Sequence, residues 1–108
     1  MTVYVDSLHN YGWVIHGEVT ASCHMFADTL DLSELHAIAA RIGMRREWFQ
    51  NKVAAPHYDL RADSREAAIA HGAVAVDRRS AARIWRARRA AVKAAEDAAH
   101  PTTPISVK

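Results

Sequence analysis

The chain has 108 residues, of which 50% are hydrophobic, and a formal net charge of +2 at pH 7. This length supports one hydrophobic core and is too short for two, so we expect these residues to form a single domain. No stretch approaches the roughly 20 apolar residues of a membrane helix, and the first residues lack the basic-then-apolar order of a signal peptide. We therefore expect a cytoplasmic protein without a membrane partner. The lone Cys23 has no cysteine to pair with, and we expect it to be buried.

The first quarter of the chain predicts strands. Residues 2–6 alternate in polarity, are rich in β-branched side chains and end on Asp6, which predicts a strand with an acidic residue at its end. Residues 8–27 are interrupted by two glycines. They predict one or two short strands, or a hairpin, that carry His16 and His24.

A helix is predicted to begin at Asp31. Asp31 and Glu34 have the spacing of a capping box, and Gly43 suits the left-handed position that ends a helix. Between them, apolar residues recur at steps of three and four and predict one buried stripe. The stripe consists of Leu32, Leu35, Ile38, Ala39 and Ile42.

Residues 44–76 predict a strand, a helix and another strand. The first strand is expected at residues 44–50. Asp63 begins a second capping box, and the short helix that follows is expected to end at Gly72. Residues 73–76 predict a compact buried strand. Because strands that alternate with helices indicate crossover connections, the predicted fold is α/β, with a mostly parallel sheet and flanking helices.

The C-terminal segment is basic. Ser80 is predicted to cap a long helix that ends near Ala99, and residues 78–93 contain seven of the 14 Lys and Arg residues. The apolar stripe of this helix is thin and is interrupted by Arg88. We therefore expect the helix to pack on the domain at its start and then to project, or to pair with a second copy in a homo-oligomer. The predicted division is an α/β core at 1–77, the basic helix at 78–99 and a flexible tail at 100–108.

Several short blocks carry a resemblance to a known family. In chain order the blocks are Tyr4–Asp6, His24–Thr29, Glu34–Ala37, Ala40–Gly43, Arg46–Gln50, His57–Leu60 and Gly72–Val74. They are similar to a small family of bacterial and phage proteins, the domain-of-unknown-function family numbered 4031. The agreement of several blocks in the same order makes the resemblance more specific than any single block would. The resemblance covers about residues 2–76 and leaves the basic helix outside it.

The preferred hypothesis for function rests on residues 44–60, where charged and aromatic residues are dense. Guanidinium and imidazole groups bind phosphate, and aromatic rings can stack on a base, so we expect a site for a phosphorylated small molecule of the nucleotide type. The sequence contains no glycine-rich phosphate loop and no obvious catalytic machinery. We therefore expect sequestration of the ligand, such as a nucleotide signal, without turnover or a cofactor. The predicted ligand-binding residues are Trp13, His24, Arg46, Trp48, His57, Tyr58 and Arg65.

A metal-dependent phosphodiesterase or nuclease is the first alternative. Asp6, Asp28 and Asp59 could gather near strand ends and hold Mg²⁺. His24 or His57 could then act as the general acid or base. A zinc site is not predicted, because the usual spacings of zinc ligands are absent from the sequence.

Binding of nucleic acid or of a partner protein by the basic helix is the second alternative. A row of cations along one side of a helix suits a phosphate backbone, and such binding is largely independent of base sequence. The residues predicted to make these contacts are Arg79, Arg83, Arg86, Arg89 and Lys93.

Overall fold

The computed structural model describes residues 2–15, 18–52 and 55–99, and it describes only the backbone of residues 10–15 and 18–20. His16 and the predicted tail at 100–108 therefore lie outside the described residues. The side chain of Trp13, a predicted ligand-binding residue, also lies outside them.

The fold is a small α/β domain with a five-stranded sheet. The strands are β1 (Val3–Val5), β2 (His9–Ile15), β3 (Glu18–Ala27), β4 (Tyr58–Arg61) and β5 (Val74–Ala75). The helices are α1 (Ser33–Arg41), α2 (Ala62–Ala70) and α3 (Arg78–Ala99), and a single 3-10 turn spans Arg46–Trp48. β3 is the central strand: it pairs antiparallel with β1, β2 and β4, whereas β5 pairs parallel with β1.

The α/β class is confirmed, but the prediction of a mostly parallel sheet is wrong. Within residues 8–27, β2 and β3 pair antiparallel, and β4 also runs antiparallel to β3. The strand predicted at 44–50 does not form. The residues that anchor this segment to the core are Met44 and Phe49, a spacing that does not fit the alternation of a strand, and the chain between them winds into the 3-10 turn.

The two faces of the sheet differ in what covers them. On the first face, alternate residues of β1, β3 and β4 pack under α1 and α2 and form the core: Val3, Val5, Cys23, Met25, Ala27, Tyr58 and Leu60. The expected burial of Cys23 is thereby confirmed. The second face carries His24 and Phe26, and α3 covers it through Trp85, whose ring centroid lies 5.0 Å from that of Phe26. A polar site can therefore form between the sheet and α3 without entering the core.

The helix ends follow the glycine signals. Gly43 and Gly72 have φ values of 83° and 106°, which confirms that they terminate α1 and α2. The start of α1 differs from the predicted capping box. Asp31 accepts hydrogen bonds from the backbone amide and the hydroxyl of Ser33, and the helix begins at Ser33. None of the helices in the described ranges is long and apolar enough to cross a membrane.

Three other predicted boundaries need correction. Asp63 lies inside α2 and does not cap it, because the helix begins one residue earlier. The cap of α3 is Asp77 and not Ser80: Asp77 Oδ1 accepts a hydrogen bond from the Ser80 amide at 2.7 Å. The strand predicted at 73–76 is β5, but it lies at the edge of the sheet, so Val74 is 45% exposed.

Candidate functional site

The candidate site is built around His24 on the second face of the sheet. Asp6 follows β1 and lies beside His24, and its backbone amide donates to the His24 carbonyl at 3.1 Å. The Asp6 carboxylate accepts the His24 backbone amide at 2.6 Å and lies 2.8 Å from Nδ1 of the His24 imidazole. This hydrogen bond to Asp6 raises the pKa of His24, although burial opposes the shift. Because Asp6 engages Nδ1, Nε2 is the ring nitrogen that faces the rest of the site.

His57 is held in the same way by a backbone carbonyl. Its Nδ1 donates to the carbonyl oxygen of Ala55 at 2.7 Å, since a carbonyl can only accept. The residue is 7% exposed and pairs with Gln50 through two backbone hydrogen bonds just before β4 begins. Nε2 of His57 is therefore the nitrogen that lies towards Asp59, at 3.5 Å from Asp59 Oδ1.

Asp59 joins the two histidines. The antiparallel register of β3 and β4 sets Asp59 opposite His24, and Asp59 Oδ1 lies 3.9 Å from His24 Nε2. The side-chain amide of Gln50 donates to the other carboxylate oxygen, Oδ2. Burial raises the pKa of Asp59, but the nearby His57 and His24 imidazoles and the hydrogen bond from Gln50 outweigh burial, so the pKa is lowered and the carboxylate is ionised at neutral pH.

These three side chains lie close enough together that they could hold a metal ion. One ligand atom from each of His24, His57 and Asp59 lies within 4.8 Å of the other two. A tetrahedral ion with bonds of about 2.0 to 2.1 Å spaces its ligands by about 3.3 Å, close to the 3.5 Å between His57 and Asp59. The side chains of His24 and Asp59 are 25% and 19% exposed, so the cluster remains accessible to water.

Each of the three ligand side chains also has a partner on its other polar atom. Metal-binding histidines commonly donate their second nitrogen to a carboxylate or a carbonyl, which fixes the tautomer and the ring orientation. Asp6 serves His24 in this way, and the Ala55 carbonyl serves His57. Gln50 serves Asp59. The cluster is therefore oriented before any ion binds.

Trp85 of α3 covers the two imidazoles. Its ring is stacked on His57 at 5.9 Å between centroids and meets His24 edge-on at 5.5 Å. The indole Nε1 is buried and has no hydrogen-bond partner among the described residues. Beside it, a cavity of about 190 Å³ opens between the sheet and α3. The cavity is lined by Asp6, His24, Arg78, Ala81, Ala82 and Trp85.

Arg65 supports the site from behind. Its Nε donates to the backbone carbonyl of Asp6 at 2.9 Å, so this predicted ligand-binding residue fixes the position of Asp6. Cys23 lies nearby in the core, and burial, together with the Asp6 charge, raises its pKa to about 12. The thiol is therefore protonated and is not a nucleophile at neutral pH.

The remaining predicted ligand-binding residues lie elsewhere. Arg46 lines a separate cavity with His36, next to the start of α1. Trp48 is 51% exposed and contacts the guanidinium of Arg45, and it does not share a strand face with Arg46 because no strand forms there. Tyr58 points into the core, where its hydroxyl lies 2.8 Å from Nδ1 of His36. The structure thus brings His24 and His57 together, and it leaves Arg46, Trp48 and Tyr58 apart from them.

The predicted aspartates also separate. Asp6 and Asp59 lie on either side of His24. Asp28 lies at the other end of β3, where it accepts hydrogen bonds from the Thr2 amide and the Tyr4 hydroxyl. It therefore ties β1 to β3 and does not belong to the site.

Two members of the site have no clear signal in the sequence. Gln50 lies in a segment that resembles a strand, and Trp85 resembles an ordinary apolar residue of a basic helix. One signal does point to the cluster: His57 and Asp59 are two residues apart, which places them on one face of a strand. Their contact with His24 depends on the register of β3 and β4, which no local pattern encodes.

The fold and the site define a small α/β domain with a cluster of two histidines and one aspartate under its C-terminal helix. The chain belongs to the family described as "Protein of unknown function (DUF4031)", whose model matches residues 3–88. The match confirms the resemblance and corrects its limit, because it includes the first half of α3 with Trp85 and Arg88. A search of the curated proteins and a search of the solved structures each found no match.

Proposed function

We propose that this protein is a metal-dependent phosphodiesterase in which His24, His57 and Asp59 bind one divalent ion. The observation that supports this proposal most strongly is the convergence of the three ligand atoms within 4.8 Å. Each ligand atom is oriented by a hydrogen bond to its own side chain, and such preorganisation is typical of metal sites.

The donor set favours Zn²⁺ or a first-row transition ion over Mg²⁺. Mg²⁺ prefers oxygen ligands, whereas imidazole nitrogen suits Zn²⁺ and Fe²⁺. Three protein ligands leave a coordination position for water, as in catalytic zinc sites. When bound, the ion would lower the pKa of that water and so supply a hydroxide nucleophile near neutral pH.

The chain's own residues would position this chemistry. Asp6 and the Ala55 carbonyl keep Nδ1 of each imidazole engaged, so Nε2 of each neutral ring is the nitrogen that would hold the ion, and binding would release any proton on it. Gln50 keeps Asp59 Oδ1 turned towards the histidines. Trp85 covers one side of the imidazoles, and the cavity beside it reaches the cluster at His24.

A phosphodiester is the substrate class that Arg78 favours, while Asp6, which also lines the cavity, is engaged by His24. Arg78 lines the cavity together with His24, and a guanidinium pairs well with phosphate oxygens. In the hydrolysis, a bond forms between the water oxygen and phosphorus and one ester bond from phosphorus to oxygen breaks. The proton lost by the water leaves on the released alcohol, so one water is consumed for each bond cleaved.

The direct test is hydrolysis of bis(p-nitrophenyl) phosphate by the full chain, first in chelator and then with Zn²⁺ or Mn²⁺ restored. We expect p-nitrophenol release only with metal. His57→Asn removes Nε2 and retains an amide that can donate to Ala55, and it should lose the activity. His71→Asn is the matched control, because His71 is exposed at the end of α2, and it should retain the activity.

The same protein samples separate this proposal from nucleotide sequestration. Sequestration predicts that a nucleotide raises the melting temperature in chelator, since a ligand at 100 times its Kd adds about 2.7 kcal/mol of stability, and that no product forms with metal. A metal-independent release of p-nitrophenol that His57→Asn leaves unchanged would contradict the metal-dependent mechanism.

A further inference from the structure

The first half of α3 is fixed to the domain, and the second half extends away from it. Ala81 and Arg88 are buried, and Arg88 Nε donates to the Thr29 carbonyl at 3.2 Å. Beyond Arg88, every described residue of the helix except the half-buried Val92 is exposed. With α3 included, the chain measures 63 Å along its long axis and 27 Å across. α3 is therefore an arm that begins at the candidate site.

The exposed side of this arm is cationic. Six of its exposed residues are Arg or Lys: Arg78, Arg79, Arg83, Arg86, Arg89 and Lys93. Among the described residues, Lys93 forms an ion pair with Asp97 at 3.8 Å, and no carboxylate lies within ion-pair distance of the five exposed arginines. Arg79 and Arg83 lie near enough to Asp77 for their charges to help lower its pKa, and all five guanidinium groups are exposed to a partner in solvent.

The cations form a row that starts at the cavity. At about 100° per residue, Arg78, Ala82, Arg86, Arg89 and Lys93 lie on one side of the helix. Arg78 and Ala82 line the cavity next to His24, so this side of α3 faces the opening of the site. The row from Arg78 to Lys93 is about 22 Å long, which matches the axial length of about six phosphates in one strand of nucleic acid.

We infer that α3 binds the phosphate backbone of a nucleic-acid strand and leads one phosphodiester into the cavity beside His24 and Arg78. The inference rests on the proposed function for the fate of the strand, and it names nucleic acid as the substrate class. Binding through phosphates is independent of base sequence and becomes weaker as the salt concentration rises.

The composition of the row favours nucleic acid over a membrane surface. A helix that lies on a membrane inserts apolar residues beside its cations. In α3 the apolar side is turned towards the domain, where Trp85 packs on Phe26 and the two site histidines. Within the described residues of α3, no large apolar side chain flanks Arg86, Arg89 or Lys93 on the exposed side, so binding to vesicles is the weaker alternative.

The test is fluorescence anisotropy with a labelled single strand of about 12 nucleotides, measured with the full chain in chelator over a range of salt concentrations. The variant combines Arg86→Gln, Arg89→Gln and Lys93→Gln. Its control combines Arg41→Gln, Arg45→Gln and Lys52→Gln, which removes the same charge from exposed residues outside α3.

We expect the α3 variant to raise the Kd about tenfold or more, and the control variant to change it by less than about threefold. The slope of log K against log salt should become shallower by about 2 in the α3 variant, because each lost contact with a single strand removes about 0.7. Equal weakening by both variants would overturn the inference. So would binding to anionic phospholipid vesicles, or concentration-dependent dimerisation, without binding to the oligonucleotide.

The outcome can be separated from that of the proposed function. His57→Asn should bind the oligonucleotide as the unmodified chain does, because the row of cations on α3 does not include the proposed metal ligands. If the unmodified chain shows no hydrolysis while the α3 variant loses oligonucleotide binding, the metal proposal is overturned and the inference that α3 binds nucleic acid is supported. If hydrolysis succeeds while the α3 variant binds normally, only the inference about α3 is overturned.

Discussion

Two polar regions of this molecule look alike in sequence and differ in structure. The segment that contains Arg46 and Trp48 is dense in charged and aromatic residues, and so is the segment that contains His57 and Asp59. In the first, Arg46 and Trp48 are exposed and Trp48 contacts only a neighbouring arginine among the ring contacts described. In the second, the polar atoms are held by partners from other strands, including His24 of β3. Convergence across strands, and not local density, distinguishes the candidate site.

The largest contrast between the two regions should appear in hydrolysis. Asp59→Asn removes a charged proposed ligand while preserving the shape of the side chain, and we expect the metal-dependent rate to fall by about 100-fold or more. Even the mutation of a residue that only hydrogen-bonds to a metal ligand lowers affinity or activity by about 10- to 100-fold. Arg46→Gln should change the rate by less than about twofold. The measurement is kcat/KM for bis(p-nitrophenyl) phosphate with saturating metal. Similar losses in both variants would mean that the two regions form one site.

The free energy of unfolding should depend more strongly on Trp85 than on the exposed Trp48. Trp85→Ala removes ring contacts with His24, Phe26 and His57, and for a half-buried tryptophan we expect a loss of about 2 to 3 kcal/mol in the free energy of unfolding. Trp48→Ala should change it by less than about 0.5 kcal/mol, as is usual for exposed positions. Urea denaturation followed by circular dichroism measures both. If Trp48→Ala were the more destabilising variant, the described packing of α3 would be wrong.

Metal affinity should distinguish Asp6, which contacts His24 of β3, from Asp28, which follows β3. Asp6→Asn removes the carboxylate that orients His24, so we expect the affinity for Zn²⁺ to fall by about 10- to 100-fold. Asp28→Asn is the matched control, because Asp28 contacts Thr2 and Tyr4 outside the site, and its affinity should stay within about threefold. Competition with a fluorescent chelator measures both constants. Asp6 would have no positioning role if the two variants bound Zn²⁺ equally well.

The smallest expected effect is on the pH dependence of stability, through His36 and the neighbouring Arg46. Burial, and then the charge of Arg46, lower the pKa of His36 from its ordinary value of 6.5. The folded state therefore favours neutral His36, and the stability that this residue contributes is present above pH 6.5 and is lost as the pH falls below that value. Arg46→Gln should make the decline of the melting temperature between about pH 7 and pH 5 shallower. Parallel curves for the two proteins would show that Arg46 does not act on His36.

Local signals predicted the helices better than the sheet. The apolar stripe of α1 and the terminating glycines Gly43 and Gly72 act within a few residues, so the sequence alone locates them. The direction of a strand depends on its partner, and the pairing of β3 with β4 joins residues that are far apart in sequence. Alternation within residues 44–50 misled the prediction, because Met44 and Phe49 reach the core from a 3-10 turn.

The candidate site was predictable in part. His24, His57, Asp6 and Asp59 stand out as chemical groups in the sequence, and the spacing of His57 and Asp59 places them on one strand face. Their assembly depends on register, which sets Asp59 opposite His24. The cover provided by Trp85 depends on how α3 folds back over the second face of the sheet. Both are tertiary features, and for this reason the usual sequence spacings of zinc ligands do not reveal the cluster.

The most direct test of the proposed metal centre is a calorimetric titration of the chelator-treated full chain with Zn²⁺, beside His57→Asn and His71→Asn. We expect the unmodified chain and His71→Asn to bind one ion per chain with the same affinity, and His57→Asn to lose that binding event. If the unmodified chain binds no ion, or if His57→Asn binds it as tightly, then His24, His57 and Asp59 are not a metal centre.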